Sequence, residues 1–390
     1  MRSLTWEAVC RRRLARNFLV APAPRAQLAD VVRAVGGIQA QVFSAAELAL
    51  GARVAGVTQR DVRDEIWERR ALVKTYGPRG TLHLLPADEL GLWMAALCAC
   101  HVAREPYWFA EAGLDRARAD ALLDAIGDAL DGQRLTRAEL AGAVAERAGA
   151  WARDYILPVW GDYLRPAALT GRLCFGPSRG SQVTYVRPDQ WTGRAPEEHD
   201  PDEALAAICR RFIAAYGPVA QQDFARWIGL PPEPARRVWG ALAGELEEVT
   251  VEGRHAWILA STAVMAGEDA QGVERERPVV LRLLPRYDCY VLGCGPRSGI
   301  LPEAARARVF SYGRGRFEGA VGVPVLLLDG LVAGLWERRM RGRRLELRVE
   351  PFVELTQSQR RLLDAEAARV GDFFGTAVAL AVEHLGEAGA

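Results

Sequence analysis

Two glutamines separated by one small apolar residue are the side chains best placed to do chemistry. Gln39 and Gln41 follow the glycine pair Gly36 and Gly37. In an extended backbone, side chains two positions apart point to the same side, so we expect both amides to face one cleft. Two neutral amides can hold a water molecule against a centre of developing charge without giving it a proton. A structural role is the alternative, because glutamines after a turn commonly bond to backbone or cap helices.

The elements around this pair predict a compact helical module that ends in a hairpin. Helices are predicted over residues 6–19, 27–35, 44–53 and 58–69, with Ser44 as the N-cap of the third. Strands at 72–76 and 81–85 follow, joined by a turn rich in glycine and proline. Short helices followed by a strand, a turn and a strand are the order of a winged helix.

Polar residues of this hairpin are candidates for contact with nucleic acid. Arg79 occupies the turn, where a basic side chain can reach phosphate. Thr81 and His83 alternate with leucines and are predicted to share the polar face of the second strand. A hydrogen-bonded structural histidine is the alternative for His83.

The same order of elements recurs twice more along the chain. After a helix predicted at 155–170, residues 171–186 form a strand, a glycine-rich turn that carries Arg179, and a second strand. Helices at 203–216, 219–227 and 232–243 precede strands at 246–251 and 255–259. The uneven spacing predicts a tandem of winged helices rather than a solenoid. The fold class is therefore α+β. The predicted modules are winged helices at 1–110, which carries the glutamine pair, 111–195 and 196–262, and a β-rich domain with a terminal helix at 278–390.

A basic hairpin marks the C-terminal domain. Strands are predicted at 279–284, 323–328, 331–336 and 345–350, and a closing helix at 357–384. Five arginines surround Gly342 within residues 337–344. A bent basic hairpin can bind phosphate, with Arg339, Arg341 and Arg343 as the candidates. A solvated turn is the alternative.

Composition restricts the classes of function. The 390 residues carry a formal net charge of +1, so nucleic-acid binding must come from local patches. Lys74 is the only lysine, which leaves one candidate for Schiff-base chemistry. Seven scattered cysteines and five distant histidines argue against a zinc site or a disulfide framework. We expect no cofactor and, without a signal peptide or membrane-length apolar run, a cytoplasmic protein with no membrane partner.

Four motifs in this order resemble those of the AlkZ/YcaQ-like family of winged-helix DNA glycosylases. They are Gln39-x-Gln41, Arg79-Gly-Thr-Leu-His83, Leu284-Pro-Arg-Tyr-Asp288 and Asp329-Gly-x-x-x-Gly-x-Trp336. The resemblance covers nearly the full length. Members of the YcaQ-like branch have aspartate as the second residue of the first motif, so Gln41 makes this chain similar to the AlkZ-like branch.

This resemblance implies a function and a set of site residues. It implies that Gln39 and Gln41 catalyse hydrolysis of the N-glycosidic bond of cationic N-alkylated purines in double-stranded DNA, including purines in interstrand crosslinks. The setting would be DNA repair or self-resistance to a DNA-alkylating natural product, by a monomer that associates with the nucleoid. The residues expected to contact DNA are Arg79, Thr81, His83, Arg179, Arg286, Arg339, Arg341 and Arg343.

Two other functions fit parts of the sequence. Three winged helices without catalysis would make a DNA-binding protein such as a transcription regulator, which typically dimerises on paired half-sites. A hydrolase of small molecules is the third possibility, but the chain has no Ser-His-Asp order and no nucleophile elbow. Release of a base from alkylated DNA distinguishes the glycosylase from both.

Overall fold

The computed structural model describes residues 2–104, 108–111, 113–158, 163–262, 278–295, 299–312, 322–342 and 344–383. The fold is α+β, as predicted. The helices are α1 Trp6–Arg16, α2 Leu28–Ala34, α3 Phe43–Gly51, α4 Gln59–Trp67, α5 Leu90–Arg104, α6 Trp108–Glu111, α7 Arg116–Ala129, α8 Arg137–Ala148, α9 Arg153–Ile156, α10 Leu164–Leu169, α11 Pro188–Thr192, α12 Pro201–Tyr216, α13 Gln221–Ile228, α14 Pro232–Ala241, α15 Cys289–Gly293, α16 Glu303–Tyr312 and α17 Gln357–Phe374. The strands are β1 Arg2–Leu4, β2 Ile38–Gln39, β3 Leu72–Tyr76, β4 Leu82–Pro86, β5 Leu135–Thr136, β6 Cys174–Arg179, β7 Gln182–Val186, β8 Leu246–Val251, β9 Arg254–Leu259, β10 Leu281–Leu284, β11 Val325–Leu328, β12 Leu331–Arg341, β13 Arg344–Pro351 and β14 Ala377–Val382.

The chain forms two compact units, each assembled from separate stretches of sequence. The first unit comprises Met1–Val62, Arg210–Trp227 and Ala241–Ala390, and the second comprises Arg63–Cys209 and Ile228–Gly240. The four sequential modules predicted above group the chain differently, and they stay predictions.

Two sheets organise the first unit. One has the order β1-β8-β9, with β1 parallel to β8. The other has the order β10-β11-β12-β13-β14, antiparallel throughout except for the parallel pair β13 and β14. Apolar side chains from α1, α15, α16 and strands β10 to β12 pack into one core, which lets α1 bury the face that carries Cys10 and Leu14.

One sheet also organises the second unit, where its strands follow the order β4-β3-β6-β7-β5. The first and second predicted hairpins meet in this sheet, because Lys74 of β3 lies opposite Phe175 of β6. Helices α7, α8 and α10 bury their apolar faces together with Phe175 and Tyr185. The predicted order of helices followed by a hairpin is observed for β3–β4, β6–β7 and β8–β9, while the assignment of each as a winged helix stays a prediction.

Two of the predicted helices are wrong in extent. The closing helix ends at Phe374 instead of running to 384, because Gly375 takes a left-handed φ of 63° and caps it. Ala377–Val382 then pairs with β13 as a strand. The helix predicted at 155–170 is replaced by α9, which ends at Ile156 shortly before Pro158, and by α10, which begins at Leu164.

Candidate active site

A glycine turn places the glutamine pair. After α2, Gly36 and Gly37 have φ values of 75° and 92°, a region that residues with a side chain rarely adopt. The Gly37 N–H donates to the carbonyl of Val32 at 2.9 Å, which closes the helix end. A Cβ at Gly36 would lie 3.0 Å from the ring of Trp227. The turn therefore requires glycine both for its backbone and for the ring packed on it.

A buried aromatic cluster fixes the position of this turn. The hydroxyl of Tyr216 donates to the carbonyl of Val35 at 2.8 Å. The ring of Phe212 lies 5.4 Å from that of Tyr216 and 5.0 Å from that of Trp227, centroid to centroid. Burial raises the pKa of Tyr216 well above its ordinary value, so the hydroxyl keeps its proton and remains a donor.

The two glutamines differ in exposure. Gln39 ends the short strand β2 and is buried, with 6% of its surface exposed. Gln41 lies at a bend two residues later and is exposed to solvent. Paired strand structure is thus confined to Ile38–Gln39, although the backbone is still extended at Val42. One amide is enclosed by protein and the other is accessible from outside, while the catalytic role of both stays a prediction.

Helix α3 begins directly after the pair. Its N-cap is Val42, which supplies no capping side chain, and the N–H of Ala45 donates to the Val42 carbonyl at 2.9 Å. The prediction of Ser44 as the N-cap is wrong, because Val42 is the last residue with extended dihedral angles and Ser44 already lies inside the helix. Every residue of α3 from Ala45 to Gly51 is buried.

Helix α3 carries a buried carboxylate that the sequence analysis missed. The side chain of Glu47 has no exposed surface, and the amide Nε2 of Gln59 donates to its Oε2 at 2.7 Å. Burial lowers the pKa of Arg338, and the negative charge of Glu47 opposes that shift. The available signal was a single charged residue in an otherwise uncharged helix, since charged residues are rarely buried without a partner.

The end of α3 is fixed by a buried ion pair. Just beyond the helix, Arg53 makes two hydrogen bonds to the carboxylate of Asp288, at 2.8 and 2.6 Å, and both side chains are fully buried. Asp288 also accepts from the N–H of Tyr290 and so caps α15. The guanidinium of Arg369 donates to the carbonyl of Gly51 at 2.8 Å. In the motif that ends at Asp288, the acidic residue therefore has a structural task.

The predicted DNA-binding residues of the first hairpin differ in accessibility. Arg79 has a left-handed φ of 61° in the turn Pro78–Gly80 and is partly exposed. The hydroxyl of Thr81 donates to the carbonyl of Pro78 at 3.1 Å. His83 is only 4% exposed, so the expectation that it lies on an open polar face is wrong. Burial, assisted by Arg79, lowers the pKa of His83 to about 3, so the ring is neutral and its Nδ1–H donates to the Thr81 carbonyl at 3.0 Å.

Arg179, on the second hairpin, already has a carboxylate partner. It donates to Glu139 at 3.0 Å and to the carbonyl of Arg134 at 2.9 Å. Hydrogen bonds from the Thr136 backbone and from Arg179 lower the pKa of Glu139 to about 2. Both side chains are largely exposed, so this pair adds little stability and its arginine can change partner.

The C-terminal hairpin presents arginines interleaved with glutamates. Arg339 and Arg341 are exposed on β12, and in the register Arg339 lies opposite Glu346 of β13. Arg341 forms an ion pair with Glu346 at 3.0 Å. Arg339, Arg341 and Glu346 line an open groove with a volume of about 530 Å³. Arg343 lies outside the described residues.

Arg286, the remaining predicted contact, is exposed at the turn that follows β10. In the part of the chain that the structure describes, no three His, Cys, Asp or Glu side chains are grouped so that they could hold a metal ion. Across those same ranges, no helix has the length and apolar character needed to cross a membrane. The structure thus places Gln39 and Gln41 just before helix α3, while the contacts of the predicted arginines with DNA stay predictions.

Comparison with known proteins identifies the family. The sequence-family model of the AlkZ-like DNA glycosylases matches residues 32–373 of this chain. A curated relative, the interstrand DNA cross-link repair glycosylase of Streptomyces sahachiroi, is 33% identical over 376 residues, which cover 94% of this chain and 95% of the relative. The solved structure of the Streptomyces sahachiroi DNA glycosylase AlkZ superposes with a TM-score of 0.83 at 30% identity, covering 98% of this chain and 100% of that one. The chain therefore belongs to the AlkZ-like DNA glycosylase family.

Proposed function

We propose that this protein is a monofunctional DNA glycosylase that hydrolyses the N-glycosidic bond of cationic N-alkylated purines, with Gln39 and Gln41 as its catalytic pair. The observation that carries the proposal is the position of these residues, directly after a glycine turn that Tyr216 and Trp227 hold in place. Membership in the AlkZ-like family supports the same reaction. A fixed pair of amides is the arrangement that positioning a single water molecule demands.

The substrate's own charge explains why neutral amides suffice. A purine alkylated at N7 or N3 is cationic, so it leaves with the electrons of its bond to C1′ and needs no protonation. The sugar acquires oxocarbenium character, as in glycoside hydrolysis generally. A glutamine carbonyl can accept a hydrogen bond from the attacking water and direct a negative dipole at the positive sugar. Water adds to C1′ and loses its proton to solvent.

The same argument gives the enzyme its specificity. An unmodified purine is neutral and needs an acid to protonate it as it leaves. Neither Gln39 nor Gln41 can supply a proton in that way, because an amide is not an acid at neutral pH. We therefore expect alkylated bases to be released and normal bases to remain.

The sequence also predicts a monofunctional enzyme, which releases the base and leaves the DNA backbone uncut. Bifunctional enzymes attack C1′ with a lysine amine and form a Schiff base. The only lysine of this chain is Lys74, and its ammonium lies over the ring of Phe175, 5.2 Å from the centroid. This contact with an aromatic face favours the charged amine, which is not nucleophilic.

Interstrand crosslinks are the finer substrate that we propose. A relative from Streptomyces sahachiroi carries the name interstrand DNA cross-link repair glycosylase. In a crosslink formed through purine nitrogens each joined base is itself a cationic leaving group, so the same hydrolysis detaches it from one strand. We place the protein in DNA repair or in self-resistance to a DNA-alkylating natural product, as a monomer bound to the nucleoid in the cytoplasm.

Exposed arginines supply the affinity for the duplex in this proposal. Arg79, Arg179, Arg286, Arg339 and Arg341 are all at least partly exposed. Arginine binds phosphate oxygens through paired N–H groups, and such contacts position a duplex without reading its sequence. Thr81 and Arg343 complete the proposed contacts, whereas the buried His83 is proposed to support the turn from beneath.

Release of free base tests the proposal. Duplex DNA methylated with a simple alkylating agent is incubated with the protein, and 7-methylguanine is measured by mass spectrometry. Gln39→Ala and Gln41→Ala should each lower the rate by about 100-fold or more, the loss seen when one positioned dipole is removed, while DNA affinity is unchanged. Gln357→Ala, at an exposed glutamine at the start of α17, is the matched control.

Equal release by the wild type and both active-site variants would show that the glutamines are not catalytic. No release by the wild type, together with tight binding to one particular duplex sequence, would instead support the non-catalytic DNA-binding protein. Both outcomes are read from the same preparations.

A further inference from the structure

Arg13, on helix α1, is a fully buried cation that the proposed chemistry does not use. Its guanidinium donates to three backbone carbonyls, those of Tyr216 at 2.7 Å, Pro218 at 2.8 Å and Gly295 at 2.9 Å. A buried cation is costly unless its N–H groups are hydrogen-bonded, and the rigid guanidinium fork fits only one arrangement of acceptors. Arg13 therefore fixes the end of α12 relative to the residues that follow α15.

The first of these carbonyls belongs to the residue whose side chain reaches the glycine turn. The hydroxyl of Tyr216 donates to the carbonyl of Val35 at 2.8 Å, and both residues are fully buried. The ring of Tyr216 lies against Gly293, where an added Cβ would come within 2.2 Å of it. The backbone, the ring and the hydroxyl of Tyr216 are thus each held at a separate point, which leaves the hydroxyl one position.

The chain between Val35 and the glutamine pair is flexible in its own right. Gly36 and Gly37 have φ values of 75° and 92°, and glycine can adopt many other backbone conformations. Gln39 follows directly after the next residue, so a rotation at either glycine would displace its amide. The hydrogen bond from Tyr216 fixes the carbonyl at which this turn starts and so restricts where the amide can lie.

We propose that Tyr216 is a positioning residue for base release, held in place by Arg13, and that its hydroxyl sets the position of Gln39 through the glycine turn. The inference rests on the proposed function and deepens it. Neither Tyr216 nor Arg13 has exposed surface, so neither side chain can contact DNA directly. Their contribution is therefore to the chemical step and not to binding.

The test separates the chemical step from binding. Single-turnover release of 7-methylguanine, with enzyme in excess, is measured beside DNA affinity by fluorescence anisotropy for Tyr216→Phe, which removes only the hydroxyl. Release should slow by about ten- to a hundredfold with DNA affinity unchanged, since small misplacements of catalytic groups have effects of that size. In the Gln39→Ala background the same substitution should cause no further loss, because the amide that the hydroxyl positions is already absent.

Tyr290→Phe is a matched control in the same unit. The hydroxyl of Tyr290 donates to the carbonyl of Gly330, in the β11–β12 turn, at 3.0 Å, and its ring is as buried as that of Tyr216. Both substitutions remove one buried hydrogen bond to a backbone carbonyl, so the thermal midpoints of the two variants should fall by similar amounts. Only Tyr216→Phe should also release base more slowly, whereas a merely structural role of Tyr216 predicts unchanged rates in both variants.

Arg13→Lys tests whether Arg13 acts through Tyr216. Lysine keeps the positive charge, but its single ammonium cannot reach acceptors on separate segments as the guanidinium fork does. Release should slow by no more than in Tyr216→Phe, again with DNA affinity unchanged. The double variant of Arg13→Lys and Tyr216→Phe should be no slower than Tyr216→Phe alone, because both changes act through one hydroxyl.

The rates decide the inference. A wild-type rate in folded Tyr216→Phe overturns it, as does an equal loss of rate in Tyr290→Phe or a loss of full size in the Gln39→Ala background. If either Tyr216→Phe or Arg13→Lys does not fold, the other variant decides by the same criterion. A wild-type protein that releases no base refutes the proposed function and this inference together, whereas an active wild type with unaffected variants refutes the inference only.

Discussion

The far end of helix α3 and the exposed face of the β12–β13 hairpin that carries Arg339 and Arg341 use charged residues in opposite ways. At the far end of α3, Arg53 and Asp288 are buried and joined by two hydrogen bonds. On the hairpin, Arg341 is mostly exposed and its partner Glu346 is partly so. A buried pair fixes geometry because separating it is costly, while a surface pair is worth about 0 to 1 kcal/mol and separates easily.

This difference matches what the proposed function requires of each region. Two amides that direct one water molecule must keep their positions throughout the reaction. Arginines that bind a duplex at any sequence must exchange a carboxylate for phosphate when DNA arrives. We expect the glutamates interleaved on the hairpin, together with a net charge of +1, to keep the affinity for undamaged DNA moderate.

Removing the buried ion pair should have the largest effect on stability. Arg53→Met leaves the carboxylate of Asp288 buried without a cation, which should lower the free energy of unfolding by about 3 to 5 kcal/mol. Urea unfolding followed by circular dichroism measures it. Arg236→Met removes an exposed pair with Glu233 and should change stability by less than about 1 kcal/mol. Equal losses in the two variants would erase the contrast between buried and exposed charges.

Sequence patterns predict those parts of the site that neighbouring residues determine, but not the contacts between residues that are far apart in the chain. The glycine turn, Gln39 and Gln41 and the helix after them are visible because short-range rules place them. The partners Arg53 and Asp288 lie 235 positions apart, and no pattern in a single sequence connects them. Glu47 was missed although it is the single charged residue of α3, because no sequence pattern identifies Gln59 as its hydrogen-bond partner.

The C-terminal end shows a second kind of failure. Residues 377–382, Ala-Val-Ala-Leu-Ala-Val, are uniformly apolar, and such a run suits a helix or a strand equally well. Gly375 was the available signal for a helix end. What decides for a strand is the free edge of β13, which only the folded sheet provides. For the same reason, the sequence did not predict that the hairpins β3–β4 and β6–β7 belong to one sheet.

The pH dependence of stability tests whether His83, predicted to contact DNA, is a buried structural residue or an exposed one. Its pKa of about 3 in the folded protein lies below the unfolded value of about 6.5, so the unfolded chain binds a proton first as pH falls. The stability that His83 contributes is complete above pH 6.5 and declines as pH falls below it. The loss between pH 7 and pH 5 should be about 2 kcal/mol.

Urea unfolding at several pH values, compared between the wild type and His83→Gln, isolates this contribution. The variant should lack that part of the pH dependence, whereas His255→Gln, at an exposed histidine, should keep it. If His83→Gln has the same free energy of unfolding as the wild type at every pH, His83 is solvated. It would then belong with the exposed residues that are proposed to contact DNA.

Replacing Arg339 or Arg341, the exposed arginines of the hairpin, should have the smallest effect and the one most specific to DNA binding. Arg339→Gln should lower the slope of log affinity against log salt concentration by about 0.9, the value for one lost phosphate contact, without changing stability or the single-turnover rate at saturation. Arg341→Gln should do less, because the Arg341 guanidinium must first leave Glu346. Glu346→Gln should then strengthen binding slightly. Anisotropy titrations over a range of salt concentrations measure the DNA affinity of all three variants. A slower chemical step in Arg339→Gln would show that this arginine also positions the catalytic residues and does not only bind DNA.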